Sequence, residues 1–145
     1  MEKEIDILNE YMANLKVLNN NLYNMHFNLI GSSFIGLHKK LEEYYNEVAL
    51  MYDKVAERIK MIGGYPITSL NKIEEVSSIK SMKSMDYNAD QVMNVLENDF
   101  TFLVDYTKDL IEYFDHKKDY YTTNILNDNL MFFTKQNWMI KTSLK

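Results

Sequence analysis

The stretch from His26 to Glu57 reads HFNLIGSSFIGLHKKLEEYYNEVALMYDKVAE and contains a set of four candidate metal ligands: His26, His38, Asp53 and Glu57. If His38 opens a helix that continues through Asp53, these residues are 15 positions apart, which is roughly 22 Å along the helix axis. The ligands of one iron site lie within about 5 Å of each other. The histidines and carboxylates can therefore meet only if a second copy of the chain supplies one pair.

The pattern around this stretch predicts long helices. Only one proline and four glycines occur in 145 residues, and they cluster around Gly31 and Gly63. Between these breaks, apolar residues recur at the spacing of one helix face. The four series are Ile5, Leu8, Met12, Leu15, Leu18, Leu22, Met25 and Leu29; Leu37, Leu41, Tyr44, Val48, Met51, Val55, Ile59 and Ile62; Val92, Leu96, Phe100, Leu103, Tyr106, Leu110 and Tyr113; and Leu126, Leu130, Phe133, Trp138 and Ile140.

Start and stop signals separate the four helices. A serine at position 32 or 33 precedes the second series and Gly63 closes it, whereas Asp86 and Asp119 precede the third and fourth. Serine and aspartate accept hydrogen bonds from the free N–H groups of a first turn, and glycine readily adopts the left-handed conformation at a helix end. Four helices of similar length predict a bundle with the aromatic and methionine side chains in its core.

Connector lengths then predict the topology. The first and third connectors are short, so each joins two antiparallel neighbours. The segment Gly63–Met85 has 23 residues, enough to cross a bundle about 43 Å long, and the stretch beginning at Asn71 predicts a short helix inside it. We therefore expect a single all-α domain, residues 1–145, that is a ferritin-like four-helix bundle with one long crossover.

Composition excludes several classes of function. With 46% apolar and 26% charged residues, the chain is typical of one globular domain, and its net charge of −5 argues against a sequence-independent grip on nucleic acid. It has no apolar run of membrane-spanning length and no recognisable signal peptide, which predicts a cytoplasmic location. Because cysteine is absent, a metal would be bound by imidazole and carboxylate, a set that suits iron or manganese better than zinc.

The usual di-iron site inside one bundle takes a Glu-x-x-His pair from each of two helices. The chain has three histidines, His26, His38 and His116, and none has glutamate three positions before it. The sequence therefore argues against a di-iron site enclosed in one bundle. We expect His116 to lie at a helix C-terminus, where it would interact with the last carbonyl groups.

Two segments resemble the Dps family, the DNA-binding proteins from starved cells. They are HFNLIGSSFIGLHKKLEEYY, which begins at His26, and YDKVAERIKMIGGYP, which begins at Tyr52. The shared features are a histidine followed by an aromatic residue and asparagine, a second histidine twelve positions later, Asp-x-x-Ala-Glu-Arg and Gly-Gly-x-Pro. The resemblance weakens beyond Pro66 and resumes at Asp119-Tyr-Tyr-Thr and Lys135-x-x-Trp138-Met, so it covers essentially the whole chain.

The resemblance implies a cytoplasmic ferroxidase and iron store, assembled as a hollow homo-dodecamer, that oxidises Fe²⁺ with hydrogen peroxide or dioxygen and protects against oxidative stress. In that family, two histidines of one subunit and an aspartate and glutamate of its two-fold partner form the ferroxidase site. They correspond here to His26, His38, Asp53 and Glu57. Asp119 corresponds to an acid of the iron-entry pore, but Asn124 stands where an acid is common, and Asp128 is the candidate to compensate. Phe27 replaces a tryptophan that is frequent after the first histidine.

Other interpretations of the same residues remain open. His26 and His38 could be ordinary polar residues at helix ends, and Asp53 and Glu57 could form a solvated face paired with lysines at 54 or 60. A rival function is physical coating of DNA, which the charge of −2 over residues 1–18 disfavours because a lysine-rich arm is missing. A third is a helical interaction protein without metal chemistry. We expect no membrane association.

Overall fold

The computed structural model describes residues 1–145, which are helical almost throughout. The helices are α1 Glu2–Asn28, α2 Phe34–Met61, α3 Leu70–Val76, α4 Ala89–His116 and α5 Tyr120–Ser143. The structure has no strand beyond an isolated bridge between Leu29 and Tyr87. The chain divides into two compact units, Met1–Ala89 and Asp90–Lys145. The predicted all-α class is confirmed, and the prediction of a single domain stays a prediction.

In the first unit, α1 and α2 pack antiparallel. The Asn19 side chain donates to the Tyr45 carbonyl at 2.8 Å, and the Lys16 ammonium lies 5.1 Å from the centre of the Tyr52 ring. Contacts thus move back along α1 as they advance along α2, as the short connector predicts. Leucine and methionine side chains fill the contact, including the fully buried Met12. Burial of such a side chain stabilises the fold by about 1.5–3 kcal/mol.

Asparagines of α1 hold the crossover segment that joins α2 to α4. Their side-chain amides form hydrogen bonds with groups of the connector in the place of water. The pairs are Asn9 with Tyr65 and Ile67, Asn14 with Ser77, Ser78 and Ile79, Asn21 with Lys80 and Met82, and Asn24 with Met82 and Lys83. Positions increase together in both segments, so the connector runs parallel to α1 along most of its length. This is the predicted long crossover.

The short helix in the connector is also confirmed. It was predicted to begin at Asn71 and is observed at Leu70–Val76. Glu74, inside this helix, contacts Ser81, which follows its end. The Glu74 carboxylate accepts hydrogen bonds from the Ser81 backbone N–H and hydroxyl, at 3.1 and 2.8 Å. These bonds hold the pKa of Glu74 below its usual value, because they stabilise the ionised form.

Most of the predicted helix ends agree with the structure. Ser33 is the N-cap residue of α2, and Gly63 follows its end with φ +91°. The Asp119 carboxylate caps α5 by accepting from the Thr122 N–H at 3.0 Å. The third long helix begins at Ala89, three residues after the predicted start at Asp86. Asp86 comes directly before Tyr87, whose backbone N–H donates to Asn28 in the bridge, so the chain is still extended there.

In the second unit, α4 and α5 form an antiparallel pair. The Asn137 side chain donates to the Thr101 hydroxyl at 3.1 Å, and the rings of Phe100 and Phe133 are 5.3 Å apart. The predicted core was wrong here at Trp138 and Met131, which are 65% and 70% exposed, and in the first unit at Met61, which is 57% exposed. Asn137 takes the buried position instead of Trp138, one residue earlier and thus about 100° around the helix.

None of the five helices combines the length and the apolar character that crossing a lipid bilayer requires.

Candidate metal centre

Two histidines face each other where α1 ends and α2 begins. His26 is in the last turn of α1 and only 5% exposed, and His38 is in the second turn of α2 and half-buried. Their rings are stacked with centres 3.6 Å apart and planes inclined by 15°. Only the short turn from Leu29 to Ser33 separates the two helices, which is why residues twelve positions apart come into contact.

Each histidine is hydrogen-bonded to the backbone of the other. The Nδ1 atom of His26 lies 2.8 Å from the His38 carbonyl oxygen, and the Nδ1 atom of His38 lies 2.8 Å from the His26 carbonyl oxygen. A carbonyl oxygen can only accept, so Nδ1 must carry the proton in both rings. In the neutral form, this fixes the tautomer in which Nε2 has a free lone pair. Histidines that bind metals usually have such a backbone or carboxylate partner on the other nitrogen.

Aromatic side chains surround the imidazole pair. Phe27 meets the His26 ring edge-on at 5.4 Å and is 68% exposed, whereas Phe34 stacks on the His38 ring at 4.7 Å. On another side, the Tyr45 ring contacts His26 edge-on at 5.1 Å. The pair therefore lies between the half-buried Tyr45 ring and an exposed apolar rim formed by Phe27 and Phe34. An exposed apolar surface of this kind is typical of a protein interface.

The two carboxylates lie elsewhere on α2. Asp53 and Glu57 are one turn apart on the same face and both are exposed. The described ion pairs, such as Lys40 with Glu43 and Lys72 with Glu75, include neither of them. One chain has no group of three or more histidine and acidic side chains that could hold a metal ion. The structure thus brings His26 and His38 together but leaves Asp53 and Glu57 apart from them.

The two candidate pore residues differ in their surroundings. Asp119 is half-buried, and its carboxylate accepts from the Thr122 hydroxyl at 2.6 Å in addition to the backbone bond of the helix cap. Asp128 is exposed on α5. Asp119 therefore has a structural role whether or not it also contacts iron, and the pore assignment stays a prediction. His116 lies exposed in the last turn of α4, as expected.

Sequence reasoning missed the tyrosines beside the histidines. Tyr23 of α1 and Tyr45 of α2 stack with ring centres 4.0 Å apart. The helical series placed Tyr44 in the core, where burial raises its pKa to about 12, but it did not identify the adjacent Tyr45. The signal for Tyr45 was its position seven residues after His38, about two turns along the same helix face.

The chain matches the family model of the ferritin-like domain over residues 5–145. The DNA protection during starvation protein of Brevibacillus brevis is 36% identical over 139 residues, which cover 96% of this chain and 93% of that protein. The crystal structure of Dps from Staphylococcus aureus has a TM-score of 0.94 at 32% identity. The match covers 100% of this chain and 97% of the Staphylococcus aureus chain.

A second similar structure comes from Vibrio cholerae O1. It is a Dps protein described as a member of a broad superfamily of ferritin-like diiron-carboxylate proteins. Its TM-score is 0.94 at 28% identity, with 99% of this chain and 90% of that chain covered. Together, these matches confirm the predicted ferritin-like four-helix bundle.

Proposed function

The chain belongs to the Dps proteins of the ferritin-like family, and we propose that it is a ferroxidase and iron store. Its substrate is Fe²⁺, which it oxidises with hydrogen peroxide or dioxygen, and its product is an Fe³⁺ mineral. This activity removes two reagents that together damage DNA. The protein works in the cytoplasm as a homo-oligomer, a hollow dodecamer in the arrangement implied by the family.

The observation that carries this proposal is the pair of reciprocal hydrogen bonds between the histidines. Because both Nδ1 atoms donate to carbonyl oxygens at 2.8 Å, both Nε2 lone pairs are free without any rearrangement. Preorganised ligands lose little conformational entropy when iron binds.

The missing ligands come from the two-fold partner in this proposal. Asp53 and Glu57 of one subunit anchor the first Fe²⁺ together with His26 of the partner subunit. His38 of the partner subunit holds a second, more weakly bound Fe²⁺. The exposed apolar rim at Phe27 supports a site completed by a second copy.

The residues favour electron loss for a simple reason. Carboxylate oxygens are hard ligands that stabilise Fe³⁺ more than Fe²⁺. Two Fe²⁺ ions each give one electron to one hydrogen peroxide molecule, which takes up two protons and leaves as two water molecules. Since both electrons arrive at the same site, no hydroxyl radical is released.

An anaerobic Fe²⁺ titration followed by addition of peroxide tests the proposal. We expect saturable binding of two Fe²⁺ per subunit and consumption of one peroxide for every two Fe²⁺ oxidised, with no radical detected by a spin trap. The matched control is the His26→Ala, His38→Ala double variant, which should bind Fe²⁺ weakly. Slow oxidation at the rate of free Fe²⁺, equal in both proteins, would contradict the proposal.

Physical coating of DNA is a second candidate, suggested by the names of relatives such as the DNA protection during starvation protein of Brevibacillus brevis. Binding to DNA phosphates requires lysine and arginine in excess, whereas this chain has a net charge of −5. We expect no retardation of duplex DNA in a gel at neutral pH and physiological ionic strength. Tight binding that weakens with added salt would support the coating function instead.

A further inference from the structure

Two tyrosine rings from different helices lie face to face beside the imidazole pair. Tyr23 and Tyr45 stack with centres 4.0 Å apart and planes inclined by 22°, so ring carbon atoms of the two residues are in van der Waals contact. Both rings are half-buried. The Tyr45 ring also contacts His26 edge-on at 5.1 Å. The two phenols therefore lie within one ring contact of a candidate iron ligand.

The backbone holds this stack in place. The Asn19 side chain, which is buried on α1, donates to the Tyr45 carbonyl at 2.8 Å and ties α2 to α1 at this point. On its other side, the Tyr23 ring stacks on Phe27 with centres 6.0 Å apart. The rings thus belong to two helices that are fixed against each other.

Tyr45 is the oxidisable ring next to the histidines. The described ring contacts of the imidazole pair involve Phe27, Phe34 and Tyr45. A phenylalanine ring has no ionisable proton to lose, whereas a phenol gives up an electron together with its hydroxyl proton. The Tyr45 hydroxyl already faces a proton acceptor, because it donates to Glu42 Oε1 at 3.4 Å.

Resting on the proposed ferroxidase function, we propose that Tyr23 and Tyr45 form an oxidative cross-linking site that is used when a single Fe²⁺ meets peroxide. One Fe²⁺ supplies one of the two electrons that hydrogen peroxide needs. The second electron comes from a phenol of the pair, with its proton. The stacked partner is oxidised in a second turnover, and the two phenoxyl radicals join.

The chemistry balances over two turnovers. Two Fe²⁺, two hydrogen peroxide molecules, two phenols and two protons give two Fe³⁺, four water molecules and one dityrosine. A carbon–carbon bond forms between ring positions next to the hydroxyl groups, and each tyrosine loses one hydrogen atom overall. The Tyr45 proton goes to Glu42, and the Tyr23 proton goes to solvent. The product joins α1 to α2 within one chain.

The test uses the assembled protein with less than one Fe²⁺ per site and excess peroxide. We expect dityrosine fluorescence and, after digestion, a cross-linked peptide that joins the Tyr23 and Tyr45 segments and lacks two hydrogen atoms. The protein should still migrate as a single chain on a denaturing gel. Saturation with two Fe²⁺ per site should abolish the cross-link, because the second electron then comes from iron.

Conservative variants identify the residues. Tyr23→Phe and Tyr45→Phe keep the ring stack but should each eliminate the cross-linked peptide. The control is Tyr65→Phe, which removes a tyrosine that is 80% exposed and lies under the Lys60 ammonium, and it should leave the cross-link unchanged. A cross-link that survives in either variant of the pair would overturn the assignment.

A second oxidant separates this inference from the proposed function. A photogenerated one-electron oxidant, a ruthenium tris-bipyridyl complex with persulfate, requires no iron site. If iron is oxidised rapidly but no cross-link forms, the inference is wrong and the ferroxidase stands. If iron is not oxidised, the proposed ferroxidase function is wrong, and the photochemical reaction tests the tyrosine pair separately. A Tyr23–Tyr45 cross-link would then support the cross-linking site, and the absence of a cross-link would overturn it.

Discussion

The imidazole pair and the carboxylate pair are two halves of a proposed site, and they differ in how far contacts within one chain hold them in place. His26 and His38 are packed together, with each Nδ1 bound to the other's carbonyl oxygen. Asp53 and Glu57 are exposed on the surface of α2, and the described ion pairs include neither of them. Folding of one chain fixes the positions of the histidines, whereas the carboxylates require a second subunit to meet a pair of histidines.

This difference extends to other polar groups of the first unit. The asparagines that face the crossover are buried and hydrogen-bonded, Asn14 most completely. Buried polar groups must be paired, so these residues serve the fold. Exposed carboxylates that repel each other one turn apart serve the fold poorly. We therefore expect exposed acids on α2 to affect chemistry and buried amides on α1 to affect stability.

The largest effect should follow from changing both carboxylates. Asp53→Asn with Glu57→Gln keeps the shape and removes two negative charges, so rapid iron oxidation should fall by more than about 100-fold. The oligomer should stay intact or become more stable, because the repulsion between the carboxylates is lost. Stopped-flow absorbance measures the first effect and size-exclusion chromatography the second. Dissociation into dimers or monomers would make these acids structural.

The second effect concerns Asn14. Its Oδ1 atom accepts from the Ser77 hydroxyl and from the Ser78 and Ile79 N–H groups, at 3.1, 3.0 and 3.0 Å. Asn14→Ala leaves the Ser78 and Ile79 N–H groups without their acceptor, whereas the Ser77 hydroxyl keeps the Ile79 carbonyl oxygen at 2.6 Å. The two unpaired N–H groups should lower the free energy of unfolding by about 3 kcal/mol. Denaturant unfolding at fixed protein concentration measures this loss of stability.

The matched control for Asn14 is Asn20→Ala, at an exposed position of the same helix. Alanine has the higher helix propensity, so this variant should gain roughly 0.5 kcal/mol. Equal effects of the two substitutions would show that the bonds to the crossover contribute little.

A half-buried acid on α4 gives a smaller, pH-dependent effect. Burial raises the pKa of Asp99 to about 6, so the folded state binds this proton more tightly than the unfolded state does. The free energy of unfolding should therefore fall by about 2 kcal/mol as the pH rises from about 4 to about 6, and stay constant above. Asp99→Asn should remove the fall and be the more stable protein at pH 7.

The control for Asp99 is Asp105→Asn, an exposed acid of the same helix. Denaturant unfolding near pH 4 and near pH 7 measures the free energy of unfolding of both variants. If the Asp99 variant loses stability at neutral pH, the ionised carboxylate is stabilised in the fold and the pKa argument is wrong.

Much of the fold follows from the sequence because it depends on local signals. Scarce proline and glycine, the cap at Asp119 and the long segment after Gly63 predicted the helices and the crossover. Trp138 was misplaced because one residue shifts a side chain by about 100° around a helix. The contacts between α1 and the crossover were missed. The signal for them was the presence of seven asparagines on α1, because asparagine is a poor helix former.

The candidate site was predictable only as a set of residues. Their spacing shows that His38 and Asp53 of one helix cannot bind the same metal ion. The tautomer, however, depends on hydrogen bonds between each imidazole and the backbone carbonyl of a residue twelve positions away. The Tyr23–Tyr45 stack likewise depends on how α1 and α2 pack, which no local pattern specifies. Whether the carboxylates reach a partner's histidines depends on assembly, and one chain does not contain that information.

Subunit complementation tests the shared site most directly. One variant lacks the histidines (His26→Ala, His38→Ala), the other lacks the carboxylates (Asp53→Ala, Glu57→Ala), and each alone should be inactive. When equal amounts co-assemble at random, half of the two-fold pairs are mixed and each has one complete site, so about a quarter of the wild-type ferroxidase activity should return. Native mass spectrometry verifies the mixing. Mixed assemblies as inactive as the separate variants would contradict the shared site.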